Sequence, residues 1–459
     1  MRLSKVPGDE SKGILRRSRL VKAIADAGQV ESFEAGEERL RSVYVKIVVG
    51  PEAAATPAGM GAAITAARLC LKVFEHVEVT GAIDGAFDLA IFGPEVETLE
   101  AALLRIGRVD DSCTQASTHR IVIGNELLTE ASSIRCWWDG WHAGVRRRHD
   151  VLPLGDGSNP LAGIFAGALA VREIFASRIL NSEQALRRTS IVSLWEPWSQ
   201  EKCPAQGPEY AMAATRLWLV GLGHLGQGIA WSLLSLAVGA GSTILLQDDQ
   251  QVGVENEPTG ILVEEDDIGH KKCRSVATWF ERAGWETSLV ERRHHGEKAR
   301  EDDPPLVICA LDKPAPRRLV AGAGFPYCLD AGVGHGAAEF ETFQFHCVRK
   351  DDDVAGLWTH SGTDNSEAVL SNPAYRQVRH DVGGCGMPDI AGAGVAAPFV
   401  GAAVGALMVA QAIRLCSAAS TCRSFQLQLG APDMATQGEI QSPYEAGFGG
   451  KRLRLRNPQ

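Results

Sequence analysis

The sequence predicts an α/β protein of two tandem strand–helix units, the first of which has lost its nucleotide loop. Three observations carry that prediction. A glycine turn, Gly221-x-Gly223-x-x-Gly226, stands between an apolar run, Leu217–Val220, and helix-compatible residues from Gln227 to about Val238. A pattern P-x-x-G-x-x-x-G-A-L opens a long apolar helix at Pro160 and recurs 238 residues later at Pro398. The first 150 residues carry α/β periodicity without a comparable glycine turn.

Composition bounds the rest. A chain of 459 residues holds two or three domains with ample core. The net charge of −10 argues against a nucleic-acid partner, which needs a basic face. Met1–Leu20 is charged throughout and has no apolar h-region, so no secretory signal is expected and the chain reads as cytoplasmic. Its 11 cysteines are then expected to be thiols, and none forms a CxxC pair suited to zinc. Ala391–Ile413 is uncharged and contains Gly401-x-x-x-Gly405, a spacing used by membrane helices. Its Ala/Gly richness and Pro398 favour a buried helix of a soluble protein, and no membrane partner is expected.

In chain order, residues 1–42 are mixed and charged. Their basic cluster, Arg16-Arg17-Ser18-Arg19, reads by itself as a solvated helix face. Strand candidates follow at Val43–Val49, His76–Val79, Phe87–Phe92 and Arg120–Gly124, with a helix over Ala62–Phe74. The loop after Val49, Gly50-Pro51-Glu52-Ala53, lacks a phosphate-cradling pattern. Each copy of the repeated helix precedes a β-rich segment, Ser190–Trp195 and Ser424–Leu429. The units are therefore 1–200 and 213–435, joined by a linker at 201–212 and followed by a tail at 436–459 whose end is basic. In the second unit, strands are expected at Thr243–Leu246, Thr287–Val290, Leu306–Leu311, Tyr327–Asp330 and Glu339–Val348. A helix is expected at about Cys273–Ala283, and residues 351–395 form a long polar crossover.

The chemistry follows from the polar groups around the turn. Glycines let backbone approach phosphate, and a helix N-terminus supplies N–H donors and positive dipole. Asp248 stands 22 residues after Gly226, where an acid can take a ribose hydroxyl. Asn256 and Lys272 follow the second strand, and Asp312 ends a later one. A lysine neutralises polyphosphate, and an Asp at a strand end can hold Mg²⁺. Hydride transfer needs neither, so the set favours ATP over NAD.

Gly-x-Gly-x-x-Gly, then Asp248 and Asn256, then Gly269-x-x-Lys272, then a strand ending in Asp312, resembles the ubiquitin-activating enzymes and the bacterial ThiF-type sulfur-carrier adenylyltransferases. The resemblance covers about residues 215–430 and extends weakly, through the helix repeat, to the first half. It implies two Rossmann-like (ThiF-type) adenylation units in tandem, the first degenerate. It implies ATP and Mg²⁺ as cofactors, with a ubiquitin-like protein and a conjugating enzyme as partners. Asp248 and Asn256 would contact the ribose and its neighbours, Lys272 the phosphates, and Asp312 the metal. Arg317 matches a basic position shortly after that Asp. In two-unit members the inactive unit lends an arginine to the ATP site, which Arg16, Arg17 or Arg19 could supply. Some members carry a thioester cysteine in the crossover, and Cys385, flanked by Gly384 and Gly386, occupies such a place. The sequence departs from the family in Asn256-Glu257-Pro258-Thr259-Gly260, where Thr259 replaces an expected arginine. Either another cation substitutes or adenylation is weakened.

The leading expectation is thus activation of a ubiquitin-like protein by adenylation, then thioester transfer. A sulfur-carrier adenylyltransferase, an NAD-dependent oxidoreductase and a catalytically weak pseudo-activating scaffold remain the alternatives. The internal repeat makes an intramolecular pair sufficient and leaves a homodimer open.

Overall fold

A computed structural model describes residues 1–5, 18–110, 112, 115–199, 206–208, 215–237, 241–358, 372–375, 394–417, 419–438 and 440–441. The first half contributes β1 (Arg2–Ser4), β2 (Val45–Val49), β3 (His76–Gly81), β4 (Arg108–Val109), β5 (His119–Ile123), β6 (Ser133–Asp139), β7 (His142–Arg146) and β8 (Ser190–Ser193). Its helices are α1 (Ser18–Ala25), α2 (Phe33–Arg41), α3 (Pro51–Ala54), α4 (Pro57–Phe74), α5 (Leu99–Ile106) and α6 (Pro160–Arg178). The second half adds β9 (Arg216–Val220), β10 (Thr243–Gln247), β11 (Glu286–Val290), β12 (Leu306–Cys309), β13 (Tyr327–Val333), β14 (Thr342–Arg349), β16 (Ser424–Gln428) and β17 (Ala431–Gln437). A separate two-stranded ribbon pairs β15 (Thr421–Cys422) with β18 (Ile440–Gln441). The remaining helices are α7 (His224–Leu234), α8 (Lys272–Arg282), α9 (Pro314–Ala321) and α10 (Pro398–Cys416).

Each half builds one eight-stranded mixed sheet, in the orders β4-β1-β3-β2-β5-β6-β7-β8 and β11-β10-β9-β12-β13-β14-β16-β17. Six neighbouring strands correspond one to one. In the first half β3, β2, β5 and β6 run parallel, then β7 and β8 turn antiparallel. In the second half β10, β9, β12 and β13 run parallel, then β14 and β16 turn antiparallel. The sheets differ at both edges: β1 and β4 add antiparallel beyond β3 where β11 joins β10 parallel, and β17 extends the second sheet beyond β16 while the first ends at β8.

The repeated pattern explains how the halves meet. Pro160 and Pro398 each occupy the first helical turn, where the missing N–H costs nothing. A Cβ on Gly163 would overlap the Ala58 carbonyl of α4, and one on Gly405 would overlap the Gly228 carbonyl of α7. Small residues therefore let α6 lie against α4 and α10 against α7 at backbone contact, while α6 and α10 pack on each other across the halves. Phe175 and Phe399 meet there with ring centroids 5.1 Å apart. A single hydrophobic core includes residues of both halves. α6 and α10 are long and apolar enough to cross a membrane, and both are almost wholly buried inside the fold.

Two features depart from the sequence expectations. Phe87–Phe92 is a loop ending in a single 3-10 turn at Ala90–Phe92, not a strand. Its apolar side chains plug the interface instead: Phe92 packs against Trp231 and Trp279 of the second half. The hairpin of β6 and β7 is an unanticipated pair, turned by Gly140-Trp141 with Gly140 at φ +59°. Cys309 and Cys328 are buried, as core residues should be.

The first half also fills its own loop. Gly50 precedes Pro51 at the start of the four-residue α3, and the Glu52 carboxylate accepts the Asn125 backbone N–H at 2.5 Å. A built-in anion thus takes a backbone donor at the end of the parallel strands.

Candidate active site

The glycine turn divides its work among three residues. Gly221 lies in the left-handed region (φ +89°), and a Cβ there would come within 2.7 Å of the Ala310 carbonyl oxygen. Gly226 must be glycine because a Cβ would overlap the Gly221 carbonyl. Gly223, the residue capping α7, has ordinary φ of −71° and a Cβ position that meets nothing within 4 Å. Two glycines therefore serve the fold, and the third leaves an open face. No side chain caps the α7 N-terminus, so its first N–H groups are available to an anion.

Asp248 follows β10 directly and holds this turn in place. Its Oδ2 accepts from the Leu222 N–H and its Oδ1 from the Gln250 N–H, each at 2.8 Å. Each oxygen keeps a further lone pair for a ligand hydroxyl. Gln227 ties the turn to the following loop: Nε2 donates to the Leu222 carbonyl, and Oε1 accepts from Leu262 and Val263.

Two cations from different halves face this region. Lys272 opens α8, is only 5% exposed, and donates from Nζ to Gln250 Oε1 at 2.7 Å. Burial lowers its pKa, Arg19 adds to that, and Asp248, Glu255 and Asp312 oppose it. Arg19 comes from α1 of the first half and donates from Nε to the Gly394 carbonyl at 3.0 Å. Burial lowers its pKa too, against Glu255 and Asp312. Asp312 lies exposed just beyond β12, immediately before the Lys313 cap of α9. Arg19, Lys272, Asp248, Glu255 and Asp312 are thus one electrostatic cluster at the carboxyl ends of β9, β10 and β12. That is the crevice where an open parallel sheet binds ligands.

Three sequence expectations change. Arg317, expected near the phosphates, is buried on α9, where it forms a bidentate pair with the buried Asp330, and Trp358 donates to the same carboxylate at 3.0 Å. The Asp330 charge in a low-dielectric core claims the guanidinium. Asn256 is largely internal, its Oδ1 accepting from the Gly253 N–H at 2.9 Å to close a turn. Thr259 is buried and donates to the Glu255 carbonyl at 3.0 Å, so its side chain is a turn cap.

What holds the Asn256–Glu264 segment was not anticipated. Lys72 of α4 donates to the Glu257 carboxylate (2.8 Å), to the Glu257 carbonyl (2.9 Å) and to the Val263 carbonyl. Arg68, one turn earlier, donates to the Ile261 carbonyl at 2.8 Å and pairs with Glu264. Lys5 adds a second ammonium to Glu257. Burial alone would raise the Glu257 carboxyl, but Lys72 and Lys5 outweigh it and hold it below the usual carboxylate range. The available signal was Arg68 and Lys72 at i and i+4 within an otherwise apolar helix, where each charge requires a buried partner.

Arg16, Arg17 and Cys385 lie outside the described residues. Within the crossover, Asn372–Tyr375 is docked on the first half. Asn372 donates to the Ala25 carbonyl, and the Tyr375 hydroxyl lies between Lys22 (2.9 Å) and Asp26 (2.5 Å). α1 therefore carries Arg19 near one end and an anchor for the crossover at the other.

Two family descriptions match the chain: BilD N-terminal domain over residues 44–194 and BilD C-terminal domain over residues 213–419. A curated relative, the bacterial E1-like protein BilD of Collimonas sp. (strain OK412), is 28% identical over 410 residues, covering 86% of this chain and 87% of its own. Among solved structures, E. coli MccB aligns over 53% of this chain and 68% of its own at 14% identity, with a TM-score of 0.31. PaaA aligns over 50% and 73%, at 14% identity and a TM-score of 0.31.

Proposed function

We propose that this chain, which is similar to the bacterial E1-like protein BilD and matches the descriptions of its N- and C-terminal domains, adenylates the C-terminal carboxylate of a ubiquitin-like protein with ATP. The observation that carries the reading is the meeting of Gly223, Lys272 and Asp312 of one half with Arg19 of the other at one crevice. Arg19 supplies a cation that Thr259 cannot. The matching strand orders, and a carboxylate in place of a phosphate loop at Glu52, support a degenerate first adenylation unit.

In the proposed reaction the partner's carboxylate oxygen attacks the α-phosphorus of ATP, and the bond to pyrophosphate breaks. The α7 N–H groups and Asp248 would hold phosphate and ribose, while Lys272 and Arg19 offset charge on the phosphates. A Mg²⁺ ion bound when ATP is present would neutralise phosphate oxygens, and the exposed carboxylate of Asp312 at a strand end fits its oxygen-ligand chemistry. The Cys385 thiolate then attacks the acyl carbon and AMP leaves; a thiol of the conjugating enzyme takes the acyl group by exchange. Sulfur-carrier activation would use the same first step. Hydride transfer to NAD would leave Lys272, Arg19 and Asp312 without a task. A weak scaffold is the second reading, favoured by the buried Thr259.

Pyrophosphate exchange separates these. Label should pass from pyrophosphate into ATP only with a ubiquitin-like protein bearing a free C-terminus. No exchange with any such partner, while ATP still binds, selects the scaffold; binding of NAD(H) and not ATP selects the oxidoreductase.

A further inference from the structure

The first sheet has an outer face on which the proposed reaction makes no demand. Along β6, Ile134, Cys136 and Trp138 belong to the core on which α6 packs, so the alternating Arg135 and Trp137 point to the other side, away from the second half. In the second half the corresponding face carries α9, between β12 and β13, whose Val320 and Ala321 join Val307, Cys309 and Cys328 in an apolar cluster. Residues 124–132, between β5 and β6, hold no helix. Instead they run beside residues 147–154 in the opposite direction: the Leu154 N–H donates to Asn125 Oδ1 at 2.8 Å, and Arg148 donates to the Thr129 carbonyl at 3.4 Å. Leu127 therefore falls opposite Val151 and Leu152, and the three are 59%, 67% and 48% exposed.

Buried donors hold them there. Arg135 is buried and donates to the Asp150 and Leu152 carbonyls, each at 2.7 Å, and Trp137 Nε1 donates to the Pro153 carbonyl at 2.7 Å. The Asp150 carboxylate is fixed in turn by Arg146 at 2.7 Å and Thr189 at 2.9 Å. The backbone is thus tied down while its apolar side chains face water, an arrangement that costs free energy until something covers it. Arg147 is exposed and Arg148 half-buried, and neither has an ion-pair partner among the described residues. Of the nearby acids, Glu126 is taken by Arg120 and Asp150 by Arg146, which leaves Glu130. The patch is cationic on a chain of net charge −10.

We propose that Leu127, Val151 and Leu152, rimmed by Arg147 and Arg148, dock an acidic amphipathic helix of a partner protein. A helix is the element that covers this face in the second half, and carboxylates complement the rim. Holding the patch rigid lowers the ordering cost of binding. The inference is independent of the adenylation reading, since the crevice lies at strand ends of the other half.

The probe is a labelled helical peptide with leucines at i, i+3, i+4 and i+7 and glutamates on its polar face, set against the same peptide with lysines. Fluorescence anisotropy with the whole chain should show saturable binding of the glutamate peptide, and binding of the lysine peptide weaker by about tenfold or more. Val151→Asp with Leu152→Asp should weaken the glutamate peptide by about tenfold or more, and Arg147→Glu with Arg148→Glu should reverse the preference between the two peptides. Both variants should melt within about 2 °C of the unaltered chain, as exposed positions do. No binding of the glutamate peptide, or binding that these substitutions leave unchanged, overturns the inference. A larger fall in the midpoint assigns the patch to a cover within the chain, and self-association abolished by the variants assigns it to a second copy; either result overturns it as well.

Discussion

Lys72→Met is the substitution that most sharply probes how the halves hold the site together. Lys72 and Glu257 are both buried, 2% and 0% exposed, and lie on opposite halves 185 residues apart in sequence. Removing the ammonium takes from Glu257 one of its two lysine partners and strips the Glu257 and Val263 carbonyls of one donor each. Breaking a buried pair from one side costs about 3–5 kcal/mol, and a buried carbonyl left without a donor costs about 1–3 kcal/mol; the Val263 carbonyl keeps Arg68 at 3.4 Å. The retained Lys5 contact sets the expected loss near the lower figure, about 3 kcal/mol. At about 2 °C or more per kcal/mol for domains of this size, the melting midpoint should fall by about 6 °C. Hydrogen exchange should quicken at residues 255–264 before it does so elsewhere. The second variant, Lys72→Met with Glu257→Leu, should regain much of the loss, because apolar replacement of both partners removes the stranded charge. The pH dependence has a definite sign. Glu257 has a folded pKa below its unfolded one, so its contribution is complete above the ordinary carboxylate range and is lost as pH falls through the folded value. The difference between Lys72→Met and the unaltered chain should therefore shrink only under strongly acidic conditions. A midpoint unchanged by Lys72→Met, or a double variant less stable than the single, would refute this reasoning.

The remaining predictions concern the crevice. Gly223→Ala should leave the melting midpoint within about 2 °C, since its Cβ meets no atom, yet weaken ATP binding in a calorimeter; Gly226→Ala should destabilise the fold outright, because its Cβ overlaps a carbonyl. Equal stability loss in both would contradict the division of labour between them. Arg19→Ala should lower exchange about tenfold or more while ATP–Mg²⁺ binding stays measurable, as loss of one charged contact to phosphate implies; unchanged exchange would remove the first half from the site. Cys385→Ala should retain exchange and lose a reducible adduct with the partner on a gel; an adduct that survives would exclude that thiol.

The sequence carried a good deal of this architecture, because its strongest signals are local. Three glycines with fixed spacing between two apolar runs specify a turn whatever surrounds it, and Gly221 and Gly226 each show a separate structural reason for being glycine. The paired P-x-x-G-x-x-x-G-A-L patterns were legible because helix contact at backbone distance admits almost nothing larger. Phe87–Phe92 misled because a run of apolar residues can fill an interface as well as a strand; only Trp231 and Trp279, more than a hundred residues away, decide which. Arg317 misled for a similar reason. A basic residue near Asp312 is equally suited to phosphate and to a buried carboxylate, and Asp330 is visible as its partner only once β13 is folded beside α9. The Arg68–Lys72 clamp joins positions nearly two hundred residues apart, beyond the reach of any periodicity.

The most direct measurement is the mass of a ubiquitin-like partner after incubation with this chain, ATP and Mg²⁺, read before any nucleophile is added. The account predicts a partner carrying one AMP on its C-terminal carboxylate, formed with release of pyrophosphate and absent for Lys272→Ala or Asp312→Asn. A partner that never gains AMP under conditions where ATP binds, or one that gains it equally with those variants, would contradict the account.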